Sequence, residues 1–111
     1  GFNDNQIMIG CDFVGLNELL NKSDVRTRDT GYFYVIIYVL LTNKNDITSQ
    51  GNIEITQLIS IFKVSDRTNV FRILDRLVKT GLVQYRLPKN NQENIIYLVI
   101  DKRCIQYFFQ K

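Results

Sequence analysis

The sequence predicts an α+β domain, mostly helical, and three observations predict it. Residues 53–62 and 66–79 both place apolar side chains at helical spacing. Gly81 follows the second run, where a left-handed residue ends a helix. Residues 82–87 then alternate with a period of two, as a half-buried strand does. Two short helices closed at once by a strand share one small core, and the remaining chain must be built around it.

Taken in order, residues 1–28 form an N-terminal extension. Gln6 to Ile9 reads as a short strand or a packing arm. Asp12 caps a short helix through Asn21, with Phe13, Leu16, Leu19 and Leu20 inward. Ser23 to Asp29 is polar; its Arg26 and Arg28 could reach phosphates, although a solvated linker is the plainer account. The core, residues 30–100, opens with a helix over 30–43 that Thr30 caps. That helix is apolar nearly all round, from Phe33 to Leu41 with Tyr32, Tyr34 and Tyr38 among them, so it must be buried on more than one side. Its β-branched run suits a strand by propensity, but its length favours a helix.

Asn43 to Asn52 is a polar loop leading to a short strand around Ile53. In the next helix Ile55, Leu58, Ile59 and Phe62 share one face. Lys63-Val64 interrupts it, and Ser65 stands where an N-cap hydroxyl can accept an orphan backbone N–H. Val70, Ile73, Leu74 and Leu77 form the inward face of 66–79. After strand 82–87, Pro88 to Asn94 is rich in turn residues, and Ile95 to Ile100 returns as a second hairpin strand apolar enough for cover on both faces. Asp101 caps a last helix, Lys102 to Gln110, which makes 101–111 a C-terminal helix.

The outward face of 66–79 carries the chemistry. With Thr68 at zero, Arg72, Asp75, Arg76 and Lys79 fall within about 80° of it at roughly 100° per residue, and Arg67 and Asn69 sit near the tip. Such a face can be merely solvated. Beside a tight turn and a strand it suits nucleic acid instead, because Arg can bond guanine in bidentate fashion, Asn adenine, and Thr a phosphate or thymine methyl.

The run Ser65-Asp66-Arg67-Thr68-Asn69-Val70-Phe71-Arg72-Ile73-Leu74-Asp75-Arg76-Leu77-Val78-Lys79-Thr80-Gly81-Leu82-Val83 resembles the recognition helix and first wing strand of winged helix-turn-helix proteins. The pattern is a capping Ser, a polar run with Thr, an apolar pair ending in Leu, a second Leu, then Gly-Leu-Val. The resemblance covers roughly residues 31–100 and is most specific over 65–83. It implies a winged helix-turn-helix core with a two- or three-stranded wing sheet, to which the N- and C-terminal helices read above are extra, within the single domain over 1–111 that the chain length fits. It also implies a recognition helix over 66–79 in the major groove and a wing over 82–100 on the backbone. The DNA-binding residues it implies are Ser65, Arg67, Thr68, Asn69, Arg72, Arg76, Lys79, Arg86 and Lys89.

Charge distribution points the same way. The chain's net charge is +3, and its pI near 9.0 is only mildly basic. Residues 63–89 hold seven cations against Asp66 and Asp75, a net +5, which leaves −2 elsewhere. All the excess positive charge therefore lies on the expected contact surface.

Composition narrows the function classes. A chain of 111 residues with 45% hydrophobic content fits one folded domain. No apolar run reaches the length of a membrane span, and no basic segment precedes an apolar one at the N-terminus, so neither a membrane span nor a signal peptide is expected. Gly1 in place of Met fits a processed N-terminus. Cys11 and Cys104 lack metal-type spacing and read as reduced, buried thiols of a cytoplasmic protein, with a disulfide between them the alternative. With no His, no Gly-rich phosphate loop and scattered carboxylates, neither an enzyme, a cofactor nor a metal is expected.

Three functions fit. The first is a homodimeric double-stranded DNA-binding regulator of transcription, paired through the central and C-terminal helices unless residues 2–22 close the monomer. The second is a centromere-binding adaptor of plasmid or phage partition that recruits a filament-forming NTPase; the wealth of Asn, Ile, Lys and Tyr suits the AT-rich coding of such elements. The third is a winged helix used for protein contacts alone, against which the basic helix argues.

Overall fold

The computed structural model describes residues 8–44, 47–88 and 94–110. In chain order its elements are β1 (Ile9–Cys11), α1 (Phe13–Lys22), α2 (Thr27–Lys44), β2 (Gln50–Glu54), α3 (Ile55–Phe62), α4 (Arg67–Val78), β3 (Val83–Arg86), β4 (Ile95–Ile100), α5 (Lys102–Ile105) and β5 (Phe108–Gln110). The α+β class stands.

Two small antiparallel sheets form among the described residues. In the larger, β4 lies between β2 and β3, with Ile53 opposite Ile96 and Tyr85 opposite Leu98. Alternation then sends Ile96, Leu98 and Ile100 inward, each at most 1% exposed, while Ile95, Tyr97 and Val99 stay half-buried. The second face of β4 is thus only partly covered. The smaller sheet pairs β1 with β5.

The core gathers around α2, whose Phe33, Ile36, Ile37, Val39 and Leu40 are buried. Leu16 and Leu20 of α1 join them, together with Leu58 of α3, Leu74 and Leu77 of α4, and the inward side of β4. The α1 helix docks on α2 through a Tyr34 hydroxyl that donates to Asn17 Oδ1 at 2.7 Å and a tilted Phe13–Tyr34 ring pair. Within one chain, residues 8–22 therefore cover part of the central helix, in line with the alternative in which the N-terminal segment closes the monomer. Residues 2–7 of that segment lie outside the described residues. Tyr38 alone on that helix remains an exposed large hydrophobic, at 64%.

Several boundaries differ from expectation. Thr30 is not a cap: α2 begins three residues earlier, so Arg28 is helical, and the Thr30 hydroxyl donates back to the Arg26 carbonyl. Asp12 does cap α1, accepting from the Gly15 N–H, but Phe13 faces outward at 58% exposure. The expected C-terminal helix 101–111 is one turn only. After α5, residues Phe108 to Gln110 turn into a strand on β1, with Cys11 opposite Phe108. A pairing partner nearly 100 residues away overrides the local helical spacing there.

Both thiols are free. Cys104 is buried, which pushes its pKa up to about 12, with Asp101 adding to the rise. Cys11 is only half-buried, not buried as expected; its pKa rises through desolvation and the nearby Asp12. No helix among the described residues is long and apolar enough to cross a membrane.

Candidate nucleic-acid interface

Four residues, 63–66, join α3 to α4. Lys63 ends α3 in the left-handed region at φ 58°, letting the N–H of Val64 reach back to the Ile59 carbonyl at 3.2 Å. The cap of α4 is Asp66, not Ser65: its Oδ1 accepts from the Asn69 N–H at 2.9 Å. A carboxylate also suits the positive end of the helix better than a hydroxyl does. Ser65 instead accepts from the Asn69 side-chain amide at 3.3 Å. Asn69 Oδ1 in turn accepts from Arg72 at 3.2 Å, so Ser65, Asn69 and Arg72 form one polar row along the outward face.

Opposite that row, Val70, Ile73, Leu74 and Leu77 are all buried, as the spacing predicted. Arg67, Thr68 and Arg72 are exposed, and Asn69 is half-buried. Gly81 takes φ 80°, the left-handed turn that sends the chain from α4 into β3.

The hairpin is fastened to α4 rather than merely following it. The Tyr85 hydroxyl donates to Asp75 Oδ1 at 2.7 Å, and the Tyr85 ring packs on Phe71 at 5.7 Å between centroids. Arg67 also lies over the Phe71 ring, 5.6 Å from its centroid. Burial and the bond to Asp75 push the Tyr85 phenol up to about 12. On the sheet, exposed Arg86 stacks on Tyr97 at 4.8 Å, which aims its guanidinium from the hairpin without burying it. Lys89 lies outside the described residues.

Arg76 departs from the outward set. Its Nε and one terminal nitrogen donate to Asp29 at 3.1 and 2.8 Å, across 47 residues of sequence. Asp29 is the one charged or polar side chain in the buried set of the described residues, at 5% exposure. The bond to Asp29 is also what most firmly holds Arg76 in its charged form. This pair ties the last turn of α4 to the first turn of α2.

Lys79 follows α4 directly and lines a cleft of about 560 Å³ with Lys22, Arg26 and Arg28. Arg26 and Arg28 come from the Ser23–Asp29 stretch expected to be a linker, and Lys22 is the last residue of α1. The sequence allowed Arg26 and Arg28 a phosphate contact but favoured a solvated linker. That they meet Lys22 and Lys79 around one cleft is decided by tertiary packing, which no spacing within the sequence records. Phe71, Asp75 and Tyr85 were likewise not expected as a unit, because their contact depends on the angle of the hairpin.

The chain matches no protein-family model, no curated protein and no solved structure.

Proposed function

We propose that the chain is a winged-helix protein that binds duplex DNA, with α4 in the major groove and the β3–β4 hairpin on the backbone. The observation that carries this is the outward face of α4. Arg67, Thr68 and Arg72 stand exposed beside Asn69, on a helix whose other face is buried and which Asp66, Asp29 and Asp75 brace. A braced helix presents its side chains in fixed register, and the major groove, about 12 Å wide, admits one helix. The succession of helix, strand, two helices and hairpin from α2 to β4 supports the winged arrangement, as does the likeness over 65–83.

In this assignment Arg67 and Arg72 meet base edges, and Ser65 and Thr68 meet phosphate or a thymine methyl. Lys79, Arg86 and Lys89 meet the backbone. Arg76 serves the duplex indirectly by holding α4 on α2. The protein binds rather than catalyses, and acts in the cytoplasm as a regulator that occupies its site.

Pairing with a second copy rests on a smaller surface than the sequence implied. Phe13 at 58%, Tyr38 at 64% and Phe109 at 48% exposure border an apolar groove beside the two-stranded β1–β5 sheet. Among the described residues each of these strands has one neighbour, so an edge remains for the same strand of a second copy. Sedimentation at micromolar concentration tests this, since a species of 13.0 kDa refutes the dimer.

The DNA assignment is tested by enriching preferred duplexes from a random-sequence pool and titrating variants against them. Arg72→Ala weakens binding to the enriched duplex by about 1–3 kcal/mol, or roughly 5- to 150-fold. Unchanged affinity after replacing both Arg67 and Arg72 sinks the proposal.

A further inference from the structure

We infer that the cleft between the end of α1, the first turn of α2 and the end of α4 seats a phosphodiester group of the DNA backbone, a contact that rests on the duplex reading above and extends it to residues outside the recognition helix and hairpin. Nine residues line the cleft, among them Lys22, Arg26, Arg28, Arg76 and Lys79 against Asp24 and Asp29. That is a net +3 in nine residues, equal to the net charge of the whole chain, so the rest of the molecule sums to zero.

The acids present do not answer the cations. Asp29 is committed to Arg76, and Arg28 approaches it only at 3.9 Å from a side chain 60% exposed. Among the described residues, no carboxylate pairs with Lys22, Arg26 or Lys79, and Asp24 is exposed on the connecting turn. Cations from three elements thus face one space with their mutual repulsion unrelieved, an arrangement that an anion stabilises.

Position selects the anion. The cleft lies at the C-terminal end of α4, and seven residues separate Arg72 from Lys79, about 10 Å along a helix axis. With the N-terminal half of the helix against base edges, that end arrives about one groove width away, where the backbone wall stands. Lys79 belongs to both surfaces, which makes the cleft continuous with the outward face of α4. The openness of the space to solvent and its exposed cations suit a phosphate on a passing duplex.

The test uses the full chain with Arg26 and Arg28 both changed to Gln, both exposed and outside the core. Affinity for an enriched duplex and for a random duplex should fall alike, by about tenfold or more. The slope of log affinity on log salt should become shallower by up to about two units. Lys22→Gln, on a different element, should flatten it by about one, which guards against a local folding defect in the double variant. An unchanged slope in both variants, with Arg72→Ala still impaired, overturns the cleft and leaves the duplex reading intact. Loss of binding to the enriched duplex alone would mean base readout and also overturns it. If the unaltered chain binds no duplex but is thermally stabilised by inorganic pyrophosphate, and the double variant is not, the cleft holds a free phosphate ligand and the phosphodiester assignment fails.

Discussion

Replacing Arg76 with Ala should be among the most damaging single changes outside the apolar core. The structure sets the size of the effect. Asp29 has a side chain only 7% exposed, and Arg76 supplies its close ion pair at 2.8 Å. Removing one partner of a buried pair costs about 3–5 kcal/mol, because the other charge is left uncompensated. Arg76 itself is 28% exposed, so truncating it lets water reach the carboxylate and places the loss near the lower limit, about 3 kcal/mol. For a domain of this size that lowers Tm by about 12 °C, at roughly 4 °C per kcal/mol. Asp29→Asn in the same chain removes the stranded charge and should recover much of the loss, giving a coupling of about 2 kcal/mol in a double-mutant cycle. Denaturant melts of the four proteins measure it. A loss below about 1 kcal/mol, additive with Asp29→Asn, would falsify the bracing role. The same variant separates a brace from a phosphate contact. A brace leaves the salt slope of DNA binding unchanged, whereas a contact reduces it by about one unit.

Three further predictions follow from single contacts. Asp66→Ala removes the cap on the Asn69 N–H and should cost about 1 kcal/mol in a urea melt, while Ser65→Ala should cost much less. Gly15→Ala would raise helix propensity, yet its added methyl would lie 2.6 Å from the Tyr107 ring and 2.7 Å from the capping Asp12 carboxylate, so it should destabilise the chain; a higher Tm would refute this. The Tyr85 phenol, pushed up to about 12, is favoured in its neutral form in the folded state. Its stabilisation is therefore fully present below the ordinary tyrosine value of about 10 and is lost as pH rises through about 12. Tyr85→Phe should remove a late component from the ultraviolet titration of the six tyrosines, and a titration without that component in the unaltered chain would show the bond to Asp75 is absent.

The sequence by itself determined the elements whose stability is local. The apolar face of α4, its left-handed stop at Gly81 and the period of two in β3 arise from neighbours a few residues apart, and each stands in the structure. So does the exposure of Arg67, Thr68 and Arg72, because a helix that buries one face must present the other. The cap of α4 was legible to within one residue: Ser65 and Asp66 can both accept, and the backbone conformation chose the carboxylate. Tertiary structure alone decided the rest. Phe108 to Gln110 became a strand because β1 offered an edge from the far end of the chain. Arg76 turned from the outward set because a buried Asp29, 47 residues earlier, needed a cation more than solvent did. Lys22, Arg26 and Arg28 joined Lys79 around one cleft because the core of α1, α2 and α4 carried them there. Helical spacing reports what a residue shares with its own turn. Charges that meet across elements are placed by burial elsewhere, and no local pattern records them.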